Sequence, residues 1–486
     1  MPYQFADRYP GTRWLLVYGK YAGPERVAAN RAQTCAQYYL PHVLEVAPAA
    51  DVEPDGNTHL ILVGTAKSNR WIAQMIDRGL VKAPEKAQGF TIACLDAPWG
   101  EEKRCIVICG ADARGMLYGA EEFCARTLYG GLPNDGAEPR RDDFDHMADF
   151  ALTEAPAIDD RGIWTWGYVI YDYKRFLDHM VKLKMNMLTV WNRTVPVNMD
   201  KVIEYAHARG IRIVTGFHWG WGSDINLDIS RPDDLPQLRK VILETYRREY
   251  AGLDIDGIYF QTQTEHHELT KDGRTMAAIA RDFVNYVAEG FYQLKPELFI
   301  QFGLHATSIR EHYADFDSLD PRITITWEDA GVLPFSYFPS LGETGQYEET
   351  LAYGKQLAQF RRDSGFAMVP KGWTCLRWGR EFEFHGPFIL GERSPRGIHE
   401  RLLDRSGLWE GVNQQWYRLF PHAARFYREI LEEKPKSTLV TGLVEDGIFE
   451  EAIQPSVALF AETLWNPYQP DDDILVKAMR AYYKSA

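Results

Sequence analysis

The sequence predicts an α/β protein: a (β/α)8 TIM barrel preceded by a small α/β accessory domain. From Arg161 onward, short β-branched and aromatic runs alternate eight times with stretches whose apolar residues recur at helical spacing. That alternation is the mark of parallel strands joined by crossover helices. Eight units over about 330 residues fit a barrel with enlarged loops, for which roughly 250 residues is typical. An open doubly wound sheet would carry a glycine-rich phosphate turn after its first strand, and Trp164-Thr165-Trp166-Gly167-Tyr168 is not one.

In the first 150 residues, strands are expected at Trp14 to Tyr18, Leu60 to Val63, Phe90 to Ala93 and Cys105 to Cys109. Helices are expected at Pro24 to Leu40, Ser68 to Asp77 and Arg114 to Leu128. The polar, proline-containing stretch from Gly130 to Asp143 and the break Glu154-Ala155-Pro156 place a domain boundary near 150, giving domains 1–150 and 151–486. The barrel strands then fall at Gly162 to Trp166, Met187 to Trp191, Ile211 to Phe217, Gly257 to Gln261, Leu298 to Gly303, Ile323 to Trp327, Ala367 to Lys371 and Thr438 to Val444. Tyr173 to Leu183, Met199 to Arg209, Leu235 to Tyr250, Arg274 to Leu294 and Glu348 to Arg362 supply helices between them.

Hydrophobic residues make up 45% and charged residues 25% of 486, an ordinary globular balance that leaves little room for long disorder. A net charge of -14 argues against nucleic acid or an anionic membrane as the main partner, since either calls for clustered Lys and Arg. The N-terminus lacks a basic start followed by an apolar run, and no window is apolar for the length of a bilayer, so the expected location is cytoplasmic. Six cysteines, none at CxxC spacing, read as reduced and mostly buried thiols. The composition leaves a homo-oligomer open.

Barrel enzymes collect their acids and bases at the carboxyl ends of strands. The run Gly257-Ile258-Tyr259-Phe260-Gln261 leads to Glu265, the first candidate for a general acid, whose proton would go to a leaving glycosidic oxygen. Ile323 to Trp327 leads to Glu328 and Asp329, candidates for the second carboxylate, which would activate a water or steady positive charge at the sugar carbon. Glu328 ranks ahead of Asp329, because neighbours on a strand face opposite sides. Trp166, Trp191, Trp219, Trp221 and Trp373 gather near strand ends and suit a cleft that stacks on sugar faces; Asn192, His218 and His305 would bond the hydroxyls at their edges. Arg377, in a loop with Arg380 and Arg393, could hold an anionic group. His266-His267-Glu268 matches no common zinc spacing, so neither a metal nor a cofactor is expected.

The run from Gly257 to Glu265, then Gly273-Arg274-Thr275 opening a long helix, then Leu298 to Gln301 and Ile323 to Glu328, resembles the catalytic core of the xylan-debranching α-glucuronidases of glycoside hydrolase family 67. Gln88-Gly89-Phe90-Thr91-Ile92 and the run from Gly110 to Gly119 are similar to the accessory domain of several glycosidase families, including the β-hexosaminidases. The α-glucuronidase resemblance implies an inverting mechanism with Glu265 as acid and Glu328 as one of two bases. The family's other base falls near Ser308 and the lysine before its acid motif at Gln261, two departures in this chain. The run from Leu459 to Pro467 resembles the closing helix of enzymes that remove N-acetylglucosamine with help from the substrate's acetamido group, although Thr264 stands where those enzymes carry an acidic neighbour.

The expectation is an exo-acting, α-glucuronidase-like glycoside hydrolase that trims an oligosaccharide, with polysaccharide breakdown as its setting. A substrate-assisted β-N-acetylhexosaminidase-type enzyme and a carbohydrate-binding barrel without activity are the alternatives.

Overall fold

The computed structural model describes residues 13–40, 43–54, 56–100, 102–128, 146–166, 170, 172–192, 194–217, 219, 227–261, 268–305, 309, 311–328, 344–373, 395–444 and 448–483. Its first part is a six-stranded sheet of β1 (Trp14–Tyr18), β2 (Glu45–Pro48), β3 (His59–Thr65), β4 (Phe90–Asp96), β5 (Arg104–Gly110) and β6 (Phe150–Glu154), in the order β2-β1-β3-β5-β4-β6. Strands β2, β1, β3 and β5 run parallel, whereas β4 is antiparallel to both β5 and β6.

Both faces of the inner strands β1, β3, β4 and β5 are buried, which is why these read as continuous apolar runs. Leu15, Val17, Leu60 and Leu62 meet Ile72 and Met75 of the helix Arg70–Asp77. Trp14, Leu16, Ile61 and Val63 point the other way, toward Ala28, Ala32, Met116 and Ala120 of the helices Gly23–Gln37 and Ala113–Leu128. The helix Arg70–Asp77 begins where the Asn69 side chain accepts from the backbone N–H groups of Trp71 and Ile72, satisfying two of the donors a helix start leaves open.

The second part is a closed barrel of parallel strands: β7 (Asp160–Trp166), β8 (Met187–Trp191), β9 (Arg212–Gly216), β10 (Gly257–Gln261), then, after the small hairpin β11 (Thr270–Lys271) and β12 (Arg274–Thr275), β13 (Phe299–Leu304), β14 (Ile323–Trp327), β15 (Phe366–Met368) and β16 (Thr438–Leu443). All eight expected strands are present. Period-2 alternation divides each strand between two cores. Trp164, Met187, Trp191, Val214, Tyr259, Ala367, Val369 and Leu439 fill the barrel interior. Ile163, Leu188, Ile213, Ile258, Ile300, Ile325 and Val440 face outward and join the apolar faces of the surrounding helices.

The expected helices appear as Tyr173–Lys182, Met199–His207, Leu235–Glu249, Met276–Leu294 and Thr344–Phe360, joined by a 38-residue helix Pro395–Glu432 that the apolar spacing did not mark. Ten of the eleven residues of the helix Pro455–Trp465 are buried, consistent with a sequence apolar on all sides. No helix among the described residues is long and apolar enough to cross a membrane. Cys35, Cys94, Cys105, Cys109 and Cys124 are buried thiols, and Cys375 lies outside the described residues.

Polar clamps join the sheet to the foot of the barrel. Arg161 is 1% exposed and donates to the backbone oxygens of Ile158, Asp159 and Lys184 and to Oε1 of Gln88. Carbonyl oxygens therefore supply the acceptors that a buried guanidinium requires. Nearby, the buried Lys184 ammonium lies 3.0 Å from Glu122 of the accessory domain and 3.2 Å from Glu462 of the helix Pro455–Trp465.

Candidate active site at the carboxyl rim of the barrel

Four neighbouring strands, β10, β13, β14 and β15, converge on Glu328. On β14 the side chains of Ile323, Ile325 and Trp327 join the outer core, while Thr326 turns inward and donates to Gln301 at 3.1 Å. Glu328 continues the inward series one residue past the strand. Its backbone N–H donates to the Leu304 carbonyl at 3.0 Å, so the β13–β14 ladder extends to this residue and fixes its position.

The Glu328 carboxylate is 1% exposed, with a hydroxyl neighbour on one oxygen and basic side chains on the other. The Tyr259 hydroxyl, from β10, donates to Oε1. Nε2 of His305, one residue beyond β13, lies 2.8 Å from Oε2, and Nζ of Lys371, beyond β15, lies 3.8 Å from the same oxygen. Burial pushes this carboxyl toward its neutral form, but His305, Lys371 and the Tyr259 hydroxyl outweigh it and hold its pKa below the usual glutamate value. Glu328 is therefore built to stay ionised. An ionised, fixed carboxylate can activate a water or stabilise a developing positive charge; it is poorly suited to give up a proton.

Gly303 makes this contact possible. A Cβ on Gly303 would run into both Glu328 Oε1 and the Tyr259 hydroxyl, so the residue between their strands must lack a side chain. Tyr259 also packs against Trp164, ring centroids 5.3 Å apart, deeper in the barrel. Similarly, Trp191 is fully buried and lies over Gly216, where any Cβ would meet its indole ring.

The remaining expected site residues separate into three groups. Glu265, Asp329, His218, Trp221 and Arg377, with the His266-His267 pair, lie outside the described residues. Trp191, Asn192 and His305 are at the strand ends with Glu328, and Trp166 pairs in register with Trp191 at the end of β7. Both polar atoms of the Asn192 amide are buried and find no hydrogen-bond partner among the described residues. Trp219 and Trp373 are not brought to this group. Trp219 stacks on Phe260 at 3.4 Å and packs beside Phe291 of the helix Met276–Leu294. Trp373 stacks on Trp416 at 4.5 Å and contacts Phe460. Both indoles are 2% exposed or less and belong to the layer between barrel and helices.

Tyr259, Lys371 and Gly303 escape a reading of the sequence alone. Tyr259 sits mid-strand in an apolar run, and only its inward parity marks it. Lys371 follows Ala367 and Val369 at the same period of two, the one sequence signal for a lysine aimed inward. Among the described residues, no group of three His, Cys, Asp or Glu side chains is arranged to hold a metal ion.

No family model and no curated protein matches the chain. Solved structures do. A mutant Streptomyces plicatus beta-hexosaminidase in complex with its product GlcNAc shares 12% identity over 98% of this chain and 92% of its own, with a TM-score of 0.53. The GH20 beta-N-acetylhexosaminidase from Streptomyces coelicolor A3(2) gives 11% identity, the same two coverages and a TM-score of 0.52. A GH138 enzyme targeting pectin rhamnogalacturonan II matches 95% of this chain at 12% identity and a TM-score of 0.50; this chain spans about half, 51%, of that enzyme. At such identities the likeness establishes a shared fold, accessory sheet and barrel together.

Proposed function

We propose that this protein is a glycoside hydrolase acting on an oligosaccharide at the carboxyl rim of its barrel. The observation that carries this reading is the Glu328 carboxylate, buried and kept ionised by His305, Lys371 and Tyr259 from three neighbouring strands. Glycosidic cleavage passes through a cation-like sugar and needs two carboxyl groups in different protonation states. Glu328 fills the ionised role, as base or electrostatic partner, and Glu265 is proposed as the acid. A carboxylate accepts at about four lone-pair positions, so Glu328 can still take a hydrogen bond from a water or a sugar hydroxyl. The Asn192 amide, without a hydrogen-bond partner among the described residues, offers a donor and an acceptor to the same sugar.

Two substrate readings follow. The α-glucuronidase-like reading rests on the sequence resemblance and would place a uronate at the rim. The second, a β-N-acetylhexosaminidase type in which the substrate's acetamido group attacks the sugar carbon, is supported by the fold shared along nearly the whole chain with two beta-hexosaminidases. A panel of nitrophenyl glycosides separates them. Turnover of a glucuronide supports the first, turnover of an N-acetylglucosaminide the second, and binding of sugars without turnover of any glycoside would leave a carbohydrate-binding barrel and overturn both.

A further inference from the structure

A cleft of about 1090 Å³ lies between the accessory helix Gly23–Gln37 and the barrel helices Tyr173–Lys182 and Met199–His207. It lies outside the barrel and shares no residue with the Glu328 cluster. Its lining carries seven Lys or Arg side chains against three Asp or Glu, in a chain whose net charge is -14. Each of those acids is already held by a base of the same cleft: Glu121 by Arg31 at 3.1 Å, Asp178 by Arg209 at 2.5 Å and Glu204 by Lys201 at 3.4 Å. The surplus is therefore positive. Arg26 and Lys174 are exposed and make no ion pair among the described residues.

Three tyrosines share the cleft. Tyr205 is fixed by its hydroxyl on Asp178 at 3.0 Å and by the Arg209 guanidinium stacked 3.3 Å from its ring, with Tyr173 set edge-on at 5.8 Å. Tyr21, at the accessory side, is 50% exposed. Flat rings interleaved with guanidinium and ammonium groups suit a ligand that offers apolar ring faces and carboxylates in turn. A single small anion would use neither the length of the cleft nor its rings.

We propose that this cleft is a second saccharide site that binds an acidic polysaccharide chain by its carboxylates and ring faces, holding the polymer on the enzyme away from the catalytic rim. The choice of a saccharide rests on the glycosidase reading; the choice of an anionic ligand rests on the cleft itself. Electrostatic attraction of this kind weakens with added salt.

The test is affinity electrophoresis and titration calorimetry of the full chain with polygalacturonate, a neutral galactan and oligothymidylate. A triple variant, Arg26→Ser, Lys174→Ser and Lys201→Ser, removes three exposed charges and leaves the packed Arg209–Tyr205 pair in place. Expected is salt-sensitive binding of polygalacturonate, no retardation by galactan, and roughly tenfold or greater weakening in the variant with hydrolysis of small nitrophenyl substrates unchanged. No binding of polygalacturonate, equal binding by the variant, or oligothymidylate bound as tightly through the same residues would overturn the proposal. Binding is read without turnover, so a chain that cleaves no glycoside yet holds polygalacturonate through these residues would sink only the hydrolase reading.

Discussion

Nε2 of His305 lies 2.8 Å from Oε2 of Glu328, and both side chains are at least 95% buried at the carboxyl rim of the barrel. A charge placed there has lost its water, so its neighbours decide its state. Lys371 and Tyr259 complete the surroundings, and the sum favours the carboxylate despite burial. That is the arrangement expected of an ionised catalytic carboxylate.

The pH dependence follows from this direction. A carboxyl whose folded-state pKa lies below its ordinary value near about 4.3 keeps its charge, and the stability that charge supplies, above that value, and loses both as pH falls through the lower folded value. The acid limb of kcat/KM due to Glu328 should therefore fall below the ordinary glutamate range. In Lys371→Met it should move upward, which a pH-rate profile of both proteins would show; an unmoved limb would mean that Lys371 does not act on this carboxylate.

Gly303→Ala should cost about 1–3 kcal/mol and much of the activity, because the new methyl meets the Tyr259 hydroxyl and Glu328 Oε1. Tyr259→Phe removes one of the two nearest obstructing atoms and leaves the ring carbon behind it. The double variant should then be less destabilised than the sum of the singles, a coupling that denaturant unfolding of the four proteins measures.

Trp373→Ala should act as a core deletion and cost about 3–5 kcal/mol, since the indole is fully buried against Trp416 and Phe460. Its melting temperature should fall steeply. A variant of unchanged stability with only a raised KM would instead place this residue against substrate.

Lys184→Met should cost about 3–5 kcal/mol by leaving Glu122 and Glu462 buried without their cation. Burial already raises the Glu462 pKa, with Lys184 opposing it. Without Lys184 the folded state would bind protons that the unfolded chain releases, so the variant should regain stability as pH is lowered from 7 toward 5. Chemical denaturation across that range provides the check.

All eight barrel strands were legible because parity and length survive in a linear sequence: Met187–Trp191, Gly257–Gln261 and Ile323–Trp327 fall where the β-branched runs predict. The edge strands were not. Glu45–Pro48 is four residues long and ends in proline, and Phe150–Glu154 is half-exposed and follows a polar stretch, so neither carries a core's signature. In the candidate site, the strand-end place and inward direction of Glu328 were legible from alternation, whereas its contact with His305, expected instead to bond sugar hydroxyls, was not. The tryptophans show the limit of that signal. Trp191 turns into the barrel, while Trp219 and Trp373 turn out toward helices, and direction beyond a strand end depends on loop geometry that residue type does not encode. Gly303 was silent for a different reason: its role is the space it leaves for atoms on two other strands.

The hydrolase assignment is tested most directly by the turnover of Glu328→Gln. With wild type and variant compared on whichever nitrophenyl glycoside the wild type cleaves, kcat should fall about 10²–10⁴-fold in the variant while its unfolding transition stays cooperative and native-like. Undiminished kcat in a folded Glu328→Gln protein would contradict a catalytic role for the buried carboxylate on which the hydrolase assignment rests.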